Sequence, residues 1–376
     1  MNRVALMMLF NARGKFVALV FGVSFAVLLC TQPVAIFLGV LERATGVMQF
    51  MRQADIWVAS NEPHQIEMFR GLSEQELERV RSVPGVAWAQ PLLSINQASA
   101  DLPNGRFYRV HLIGIDRATL VGQPPEMLEG NLSDLRLPDT VLLETSNRQR
   151  LPGIGVGAVL RLNDRRARVI GICRARGNLL SLPTLYASYA TAKKYVPESR
   201  RPLSYIMVKV KPDASVAQVR RAIQASPSLQ AYGCDEFRWI TMSFVMFRTS
   251  IGANFAVTVG LGVLVGFIVS LAAFNQFTAD YLPHFALLKA VGTRPRTLVR
   301  MVLLQALTVG LISYGIGIGM AGVLVLPTLR ADASLVAVFP WQLLAGGLAP
   351  MLVCVSLGSM LNLPRVLRAD PALLFR

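Results

Sequence analysis

The sequence predicts an α-helical membrane protein with four transmembrane helices and an α+β extracytoplasmic domain inserted between helices 1 and 2. Three observations support this fold class. Apolar residues make up 53% of the 376 residues and charged residues only 16%, whereas an average soluble domain is about 25% charged. The apolar excess lies in four blocks, and residues 42–250 have an ordinary composition. The composition excludes a disordered chain, which would combine low hydrophobicity with high charge.

The first apolar block, residues 16–41, contains no charged side chain. As a helix it would be about 39 Å long, against a hydrocarbon core of about 30 Å. The alternative of a cleaved signal peptide predicts an apolar region of only about 7–15 residues before a small-residue cleavage site. A charged residue at the centre of a span costs about 2.5–3.5 kcal/mol, and none lies there in any block. The other predicted spans are residues 251–279, 298–329 and 335–363.

The basic residues outside the large domain lie beside the spans. The net charge is +16, and residues 42–250 hold 27 basic and 19 acidic side chains. The remaining basic residues cluster in short flanking segments, as the positive-inside rule describes. That distribution argues against nucleic acid as a partner and for membrane lipid. It places the segments 1–15, 280–297 and 364–376, and so both termini, in the cytoplasm, and it places residues 42–250 and the short loop 330–334 outside.

Small residues recur four positions apart in two of the spans. The pairs are Gly262 with Gly266 and Gly315 with Gly319, and Gly317 and Ala321 lie on an adjacent stripe of the third span. Such spacing lets helix backbones approach closely in lipid. The alternative is that membrane helices simply contain more glycine. Gln305, near a span end, is expected at the membrane interface. No ionisable residue lies mid-span, which argues against an ion-coupled transporter.

The external domain has the pattern of an α+β fold. Two strand–helix–strand units, in halves of about 54–100 and 200–235, enclose a β-rich segment of about 105–190. Ser73 and Glu76 have the spacing of a capping box that begins a helix. Residues 235–249 look helical, and a continuous helix from this domain into the second span would be a stiff connection.

Residues with catalytic or metal-binding chemistry are sparse. The three histidines, His64, His111 and His284, lie in unrelated segments, and no P-loop or hydrolase motif occurs. We therefore expect no enzyme, no bound metal and no cofactor in this chain, so that any energy must come from a partner. Cys173 and Cys234 are both external, where a disulfide between them is permitted but not determined by sequence.

Two segments carry a resemblance to a known family. Residues 281–300 read YLPHFALLKAVGTRPRTLVR, and residues 364–372 read PRVLRADPA. Together with the large domain after the first span, they resemble the FtsX-like permeases, the MacB/DevC-type subunits of ABC transporters. The family's Arg and Glu before the Phe are replaced by Tyr281 and His284. Pro283 also intrudes, which predicts that the helix of this loop begins after it.

The resemblance implies bacterial inner-membrane permeases that form a dimer, with an ABC ATPase and a periplasmic membrane-fusion adaptor as further partners. It also implies a MacB-like domain architecture and a short coupling helix that docks into the ATPase. By position, the coupling residues would be Phe285, Leu287, Leu288, Lys289, Val291 and Gly292.

The implied function is an exporter permease that transmits ATP-driven motion to its external domain and moves substrate on the outer side. Two alternatives remain open. One is an FtsX-like signalling transducer that controls a periplasmic hydrolase, and the other is a lipoprotein-releasing permease.

Overall fold

The structure is a computed structural model of the chain that divides into two compact units. We name these the helical unit (Met1–Leu38, Ala253–Pro327 and Ala337–Arg376) and the α+β unit (Gly39–Gly252 and Thr328–Val336). The described residues are 2–11, 13–61, 71–102, 105–145, 150–175, 177–196, 203–326 and 337–364. The predicted loop 330–334, His64 and residues 365–376 of the predicted tail lie outside them.

The helices of the described residues include four that are long and apolar enough to cross a membrane. In chain order the helices are α1 (Asn2–Asn11), α2 (Arg13–Ala44), α3 (Gly46–Phe50), α4 (Glu74–Arg81), α5 (Tyr189–Lys194), α6 (Val216–Gln224), α7 (Cys234–Phe247), α8 (Ser250–Asp280), α9 (Leu282–Ala290), α10 (Pro295–Val325) and α11 (Trp341–Leu361). The four long helices α2, α8, α10 and α11 confirm the four predicted apolar helices. The last begins later than predicted, because Pro340 is its N-cap.

The helical unit has a core in which α1 also takes part. Ala5 and Leu9 of α1 are fully buried together with Phe274, Phe285 and other side chains of the long helices. Gln305 donates a hydrogen bond of 2.9 Å from Nε2 to the carbonyl oxygen of Ala5. The side chain of Gln305 is therefore buried in the bundle, where it satisfies a backbone group, and its depth at the membrane interface stays a prediction.

Glycines allow α2 to approach two other helices of this unit. An added Cβ at Gly262 would lie 3.0 Å from the carbonyl oxygen of Leu29, and one at Gly266 would lie 3.1 Å from Cβ of Ala26. On α10 the close contact is made by Gly317, whose Cβ would lie 2.6 Å from Cβ of Val27. Within one copy of the chain, a Cβ at Gly315 or Gly319 would meet no described atom within 4 Å. The close contact thus uses the adjacent stripe, and a helix contact at Gly315 and Gly319 stays a prediction.

The α+β unit contains one ten-stranded sheet. Its order is β10-β1-β9-β2-β3-β8-β5-β7-β4, and β6 pairs with β2 and β7. The strands are β1 (Ile56–Ser60), β2 (Val86–Asp101), β3 (Phe107–Ile115), β4 (Glu126–Glu129), β5 (Thr140–Glu144), β6 (Val159–Leu162), β7 (Arg165–Arg174), β8 (Thr184–Ser188), β9 (Tyr205–Val210) and β10 (Leu229–Gly233), and a 3₁₀ helix covers Leu132–Arg136. The units β1-α4-β2 and β9-α6-β10 adjoin in the sheet, and β3 to β8 lie between them in the sequence.

A single long strand joins the two parts of this sheet. The sequence predicts two strands, Val86–Pro91 and Leu92–Ala100, but no turn residue separates them and the structure has β2 throughout. Its first half pairs with β9, and its second half pairs with β3. The predicted capping box of α4 is present, with Glu76 N donating to Ser73 Oγ at 3.3 Å and Ser73 N donating to Glu76 Oε2 at 2.7 Å.

The predicted continuous helix from the domain into the second span is interrupted. α7 ends at Phe247, and α8 begins at Ser250. The backbone bends there so sharply that an added Cβ at Gly252 would collide with the carbonyl oxygen of Met246. In a straight helix residues six apart are about 9 Å apart along the axis. Only glycine fits this bend.

Cys173 and Cys234 are free thiols in this structure. Cys173 is buried in a core cluster with Trp57 and Phe237, and Cys234 packs against the same cluster. Cys234 Sγ donates to the carbonyl oxygen of Ala54 at 3.1 Å. Burial raises the pKa of both thiols, which keeps them protonated and unreactive at neutral pH.

Candidate coupling site

The segment between α8 and α10 forms the short helix α9. Tyr281 is its N-cap residue, and Pro283 lies in the first turn. The prediction that the helix begins after Pro283 is wrong, because the first-turn N–H groups have no partner within a helix and proline loses nothing there. The new helix α9 therefore begins at Leu282, and only Tyr281 separates it from the end of α8 at Asp280.

One side of α9 is anchored in the core of the helical unit. Phe285 and Ala286 are fully buried, and Phe285 belongs to the same cluster as Phe274 and Met301 of the long helices. Leu288 is half-buried against this cluster. Burying a phenylalanine side chain stabilises by roughly 1.5–3 kcal/mol, so Phe285 holds α9 firmly to the helices on either side of it.

The other side of α9 is exposed and partly apolar. The side chain of Leu287 is 53% exposed and that of Val291 is 80% exposed. They lie four residues apart and so on one face. Lys289 is half-buried and has an interaction of its own. Of the six predicted coupling residues, the structure thus presents Leu287 and Val291 outward and turns Phe285 inward.

Gly292 ends the helix. Its φ is +90°, in the left-handed region that favours glycine. Its N–H donates to the carbonyl oxygen of Lys289 at 3.0 Å, and the N–H of Thr293 donates to that of Leu288 at 3.1 Å. This pair of bonds is the Schellman motif. Gly292 therefore sets the direction that the backbone takes from α9 to α10.

Exposed basic side chains follow the exposed apolar pair in the sequence. Arg294 is the N-cap residue of α10, and Arg294, Arg296 and Arg300 are all exposed in its first turns. The flat guanidinium groups of arginine suit carboxylates on a partner protein. The exposed surface made by Leu287, Val291 and these arginines is here named the coupling surface.

Sequence reasoning missed a contact that holds the start of this segment. Lys15 Nζ lies 2.9 Å from Asp280 Oδ2 and 6.0 Å from the centre of the Tyr281 ring. Tyr281 in turn packs against His284, with ring centres 5.3 Å apart. No sequence pattern could indicate this ion pair, because Lys15 and Asp280 lie far apart along the chain. Among the described residues no group of His, Cys, Asp and Glu could hold a metal ion.

The four apolar helices with an α+β domain between the first two define a multi-pass membrane protein with an extracytoplasmic domain. Comparison with known protein families identifies the family within this class. Residues 16–226 match the MacB-like periplasmic core domain, and residues 239–371 match the FtsX-like permease C-terminal domain. The chain therefore belongs to the FtsX-like permeases with a MacB-like periplasmic core domain.

Solved structures with likeness to the chain match about half of it. The periplasmic region of MacB from Actinobacillus actinomycetemcomitans is 15% identical, with 51% of this chain and 96% of that chain covered and a TM-score of 0.40. The extracellular domain of the ABC-type transporter YknZ from Gram-positive bacteria is 12% identical, with 48% and 99% covered and a TM-score of 0.35. A domain of a putative permease protein from Porphyromonas gingivalis is 15% identical, with 49% and 88% covered and a TM-score of 0.34.

At these identities and TM-scores the three structures carry no argument about function. No curated protein matches the chain significantly. The family assignment accordingly rests on the two matched domains, neither of which is an ATPase domain.

Proposed function

We propose that this chain is the permease subunit of an ABC-type exporter that transmits ATP-driven motion from a separate cytoplasmic ATPase to its extracytoplasmic domain. The observation that carries the proposal is the two-sided packing of α9. Phe285 is buried among the membrane helices, while Leu287 and Val291 are exposed beside it. A helix built this way passes a displacement of its outer face directly to the spans.

The chemistry of the coupling surface supports an ATPase as its partner. Two apolar side chains provide area to bury, and the neighbouring arginines provide charge-assisted hydrogen bonds to carboxylates. Membership of the FtsX-like permease family implies association with an ABC ATPase. In this proposal the ATPase binds ATP and Mg²⁺, and the permease supplies the docking helix.

The remaining parts of the proposal follow from the family and from the charge distribution. Two copies of the permease, each with four spans, would bind two ATPase subunits, and a periplasmic adaptor would bind outside. Both termini and α9 would lie in the cytoplasm, since basic residues flank the spans on that side. Substrate would move on the outer side, because none of the four blocks carries an ionisable residue mid-span to line a path.

Co-purification tests the docking of α9. The variant Leu287→Glu/Val291→Glu places two carboxylates on the coupling surface, and we expect recovery of the ATPase with the tagged permease to fall at least about tenfold, which corresponds to about 1.4 kcal/mol. Val156→Glu is the matched control, because Val156 is 48% exposed in the α+β unit. Equal recovery of the ATPase with both variants would overturn the docking assignment.

Site-directed labelling tests the proposed orientation. Single cysteines introduced at Leu287 and at Phe107, both exposed, are treated with a membrane-impermeant maleimide in intact spheroplasts. We expect Phe107→Cys to react before lysis and Leu287→Cys only after lysis. Reaction of both cysteines before lysis would contradict the arrangement.

A further inference from the structure

Six strands of the α+β unit close into a barrel. The pairing runs from β2 to β3, β8, β5, β7 and β6, and β6 pairs with β2 again. One apolar cluster, which includes Val110, Leu162 and Val169, fills the interior. Side chains at the alternate positions therefore point outward. Part of the outer wall is covered, because Ile113 and Tyr186 belong to the other core cluster of this unit.

The outer wall formed by the ends of β3, β2, β6 and β7 is exposed and basic. Two exposed apolar side chains lie on it, Phe107 at 72% and Val159 at 47%. Among the described residues of these four strand ends, Asp101 is the one carboxylate on this side. We define the basic wall as these two apolar side chains and four exposed arginines, which are Arg109, Arg161, Arg166 and Arg168.

The strand register opposes two of these positive charges directly. Arg161 of β6 is the partner of Arg166 of β7, and Arg168 lies two residues farther along β7 on the same side. Directly opposed side chains have Cβ atoms about 4.5–5.5 Å apart, and like charges there are destabilising. The guanidinium groups of Arg166 and Arg168 make no hydrogen bond or ion pair with another described residue, and Arg161 lies 3.9 Å from the exposed Asp164. An anion bound between them would relieve the repulsion.

The make-up of the basic wall favours protein carboxylates as that anion. Arginine and aromatic side chains are enriched in protein interfaces and lysine is depleted, and these four strands carry no lysine. An extended chain places every second side chain on one side, about 6.6 Å apart, which is the spacing between Arg166 and Arg168. A second copy of the chain is a poor partner, since residues 42–250 carry 27 basic and 19 acidic side chains and two such surfaces repel each other.

We propose that the basic wall binds an extended acidic segment of a partner protein outside the membrane. Carboxylates at alternate positions of that segment bind Arg161, Arg166 and Arg168, and apolar side chains between them pack on Phe107 and Val159. The site belongs to the α+β unit, and binding there does not depend on the docking of α9.

Fluorescence anisotropy of a labelled peptide tests this site. The full-length protein is placed in nanodiscs of phosphatidylcholine, which carries no net charge, and is titrated with the peptide Glu-Val-Glu-Thr-Glu-Val-Glu. The variant Arg161→Gln/Arg166→Gln/Arg168→Gln is expected to weaken peptide binding by about tenfold or more, because three ion pairs are lost. Absence of peptide binding to the wild type would overturn the proposal.

The matched control removes the same charge from other parts of the unit. The variant Arg117→Gln/Lys211→Gln/Arg221→Gln replaces three exposed basic side chains, and we expect it to change the Kd less than about twofold in physiological salt, which screens distant charges. Equal weakening of peptide binding by the two triple variants would show that net charge alone attracts the peptide, and the site assignment would be lost.

Two further measurements separate this site from a general polyanion site and from a structural role. Phe107→Ser should weaken peptide binding by about threefold or more through lost apolar contact and leave binding of inorganic polyphosphate unchanged. Unchanged peptide binding in Phe107→Ser, together with tighter binding of polyphosphate than of peptide, would exclude a protein segment as the occupant. The arginine triple variant should melt no lower than the wild type, because the opposed charges are removed. A lower melting temperature would show that the arginines serve the fold.

Discussion

Arg43 Nη1 donates a hydrogen bond of 2.6 Å to Ser181 Oγ. Arg43 lies in the last turn of α2, and Ser181 follows β7 in the α+β unit. Arg43 also lies close enough to Glu144 of β5 for electrostatic attraction. Arg43 is 8% exposed and Glu144 is fully buried. The buried Arg43 thus connects the end of the first long helix to groups of the inserted part of the sheet that lie 138 and 101 residues away along the chain.

The first prediction concerns this connection. Arg43→Met removes both the donor to Ser181 and the positive charge near the buried Glu144, and we expect it to lower the free energy of unfolding by more than the loss of the hydrogen bond alone. Ser181→Ala should cost about 1.5–3 kcal/mol, the value of one hydrogen bond to a charged group. Thermal unfolding of the detergent-purified chain measures both. The double variant Arg43→Met/Glu144→Gln should recover much of the loss, and strictly additive losses would argue against the pairing.

The second prediction concerns the glycine stripe on α10. Gly317→Ala forces a Cβ to within 2.6 Å of Val27 and 2.7 Å of the carbonyl oxygen of Ser24, so we expect it to lower the melting temperature of the chain. Gly315→Ala meets no described atom within 4 Å, and removing glycine from a helix interior stabilises by about 0.5–1 kcal/mol. We expect the two variants to shift the melting temperature in opposite directions. A lower melting temperature in Gly315→Ala but not in Gly317→Ala would contradict the assignment of Gly317 to the contact with α2.

The third prediction tests whether Gly292 acts through its backbone conformation or through a steric contact of its position. An added Cβ meets no described atom within 4 Å, so the cost of Gly292→Ala comes from φ of +90° alone and is about 1–2 kcal/mol. We expect weaker recovery of the ATPase with Gly292→Ala. Gly292→Asn should recover more ATPase, because asparagine tolerates the left-handed conformation. Equal recovery with alanine and asparagine would show that Gly292 does not act through its backbone.

The fourth prediction is a pH dependence of stability from His111. This histidine is fully buried, and its Nε2 lies 2.9 Å from Ser94 Oγ. Burial lowers its pKa to about 3. The unfolded chain protonates His111 below about pH 6.5, while the folded chain keeps it neutral. The stability of the wild type should therefore fall with decreasing pH, by about 1.4 kcal/mol per unit from about pH 6.5 towards pH 3.

The matched comparison for His111 is His111→Gln, which removes this titration and leaves the other groups in place. The difference in free energy of unfolding between the two proteins, measured by chemical denaturation at several pH values, isolates the effect of the histidine. A difference that stays constant from pH 6.5 to pH 4 would show that His111 is protonated in the folded protein.

Local patterns determined the large features of this chain. Uninterrupted apolar blocks must form helices in lipid, because backbone groups find no other hydrogen-bond partners there. The four long helices followed from that rule. The α+β character of residues 42–250 followed from alternating strand and helix patterns, and the capping box from the spacing of Ser73 and Glu76. The segments 281–300 and 364–372, together with the large domain after the first span, were sufficient to indicate the permease family.

Tertiary structure alone decided which side chains face which neighbours. The sequence marked two adjacent small-residue stripes on the third span, one with Gly315 and Gly319 and one with Gly317 and Ala321. Only the structure shows that α2 packs against Gly317, because the rotation of a helix in its bundle depends on all its neighbours together. Phe285 and Leu287 are equally apolar, and only the position of α9 against the bundle buries one and exposes the other. Contacts such as Arg43 with Ser181 and Lys15 with Asp280 join residues far apart in the chain, and no local periodicity encodes such distances.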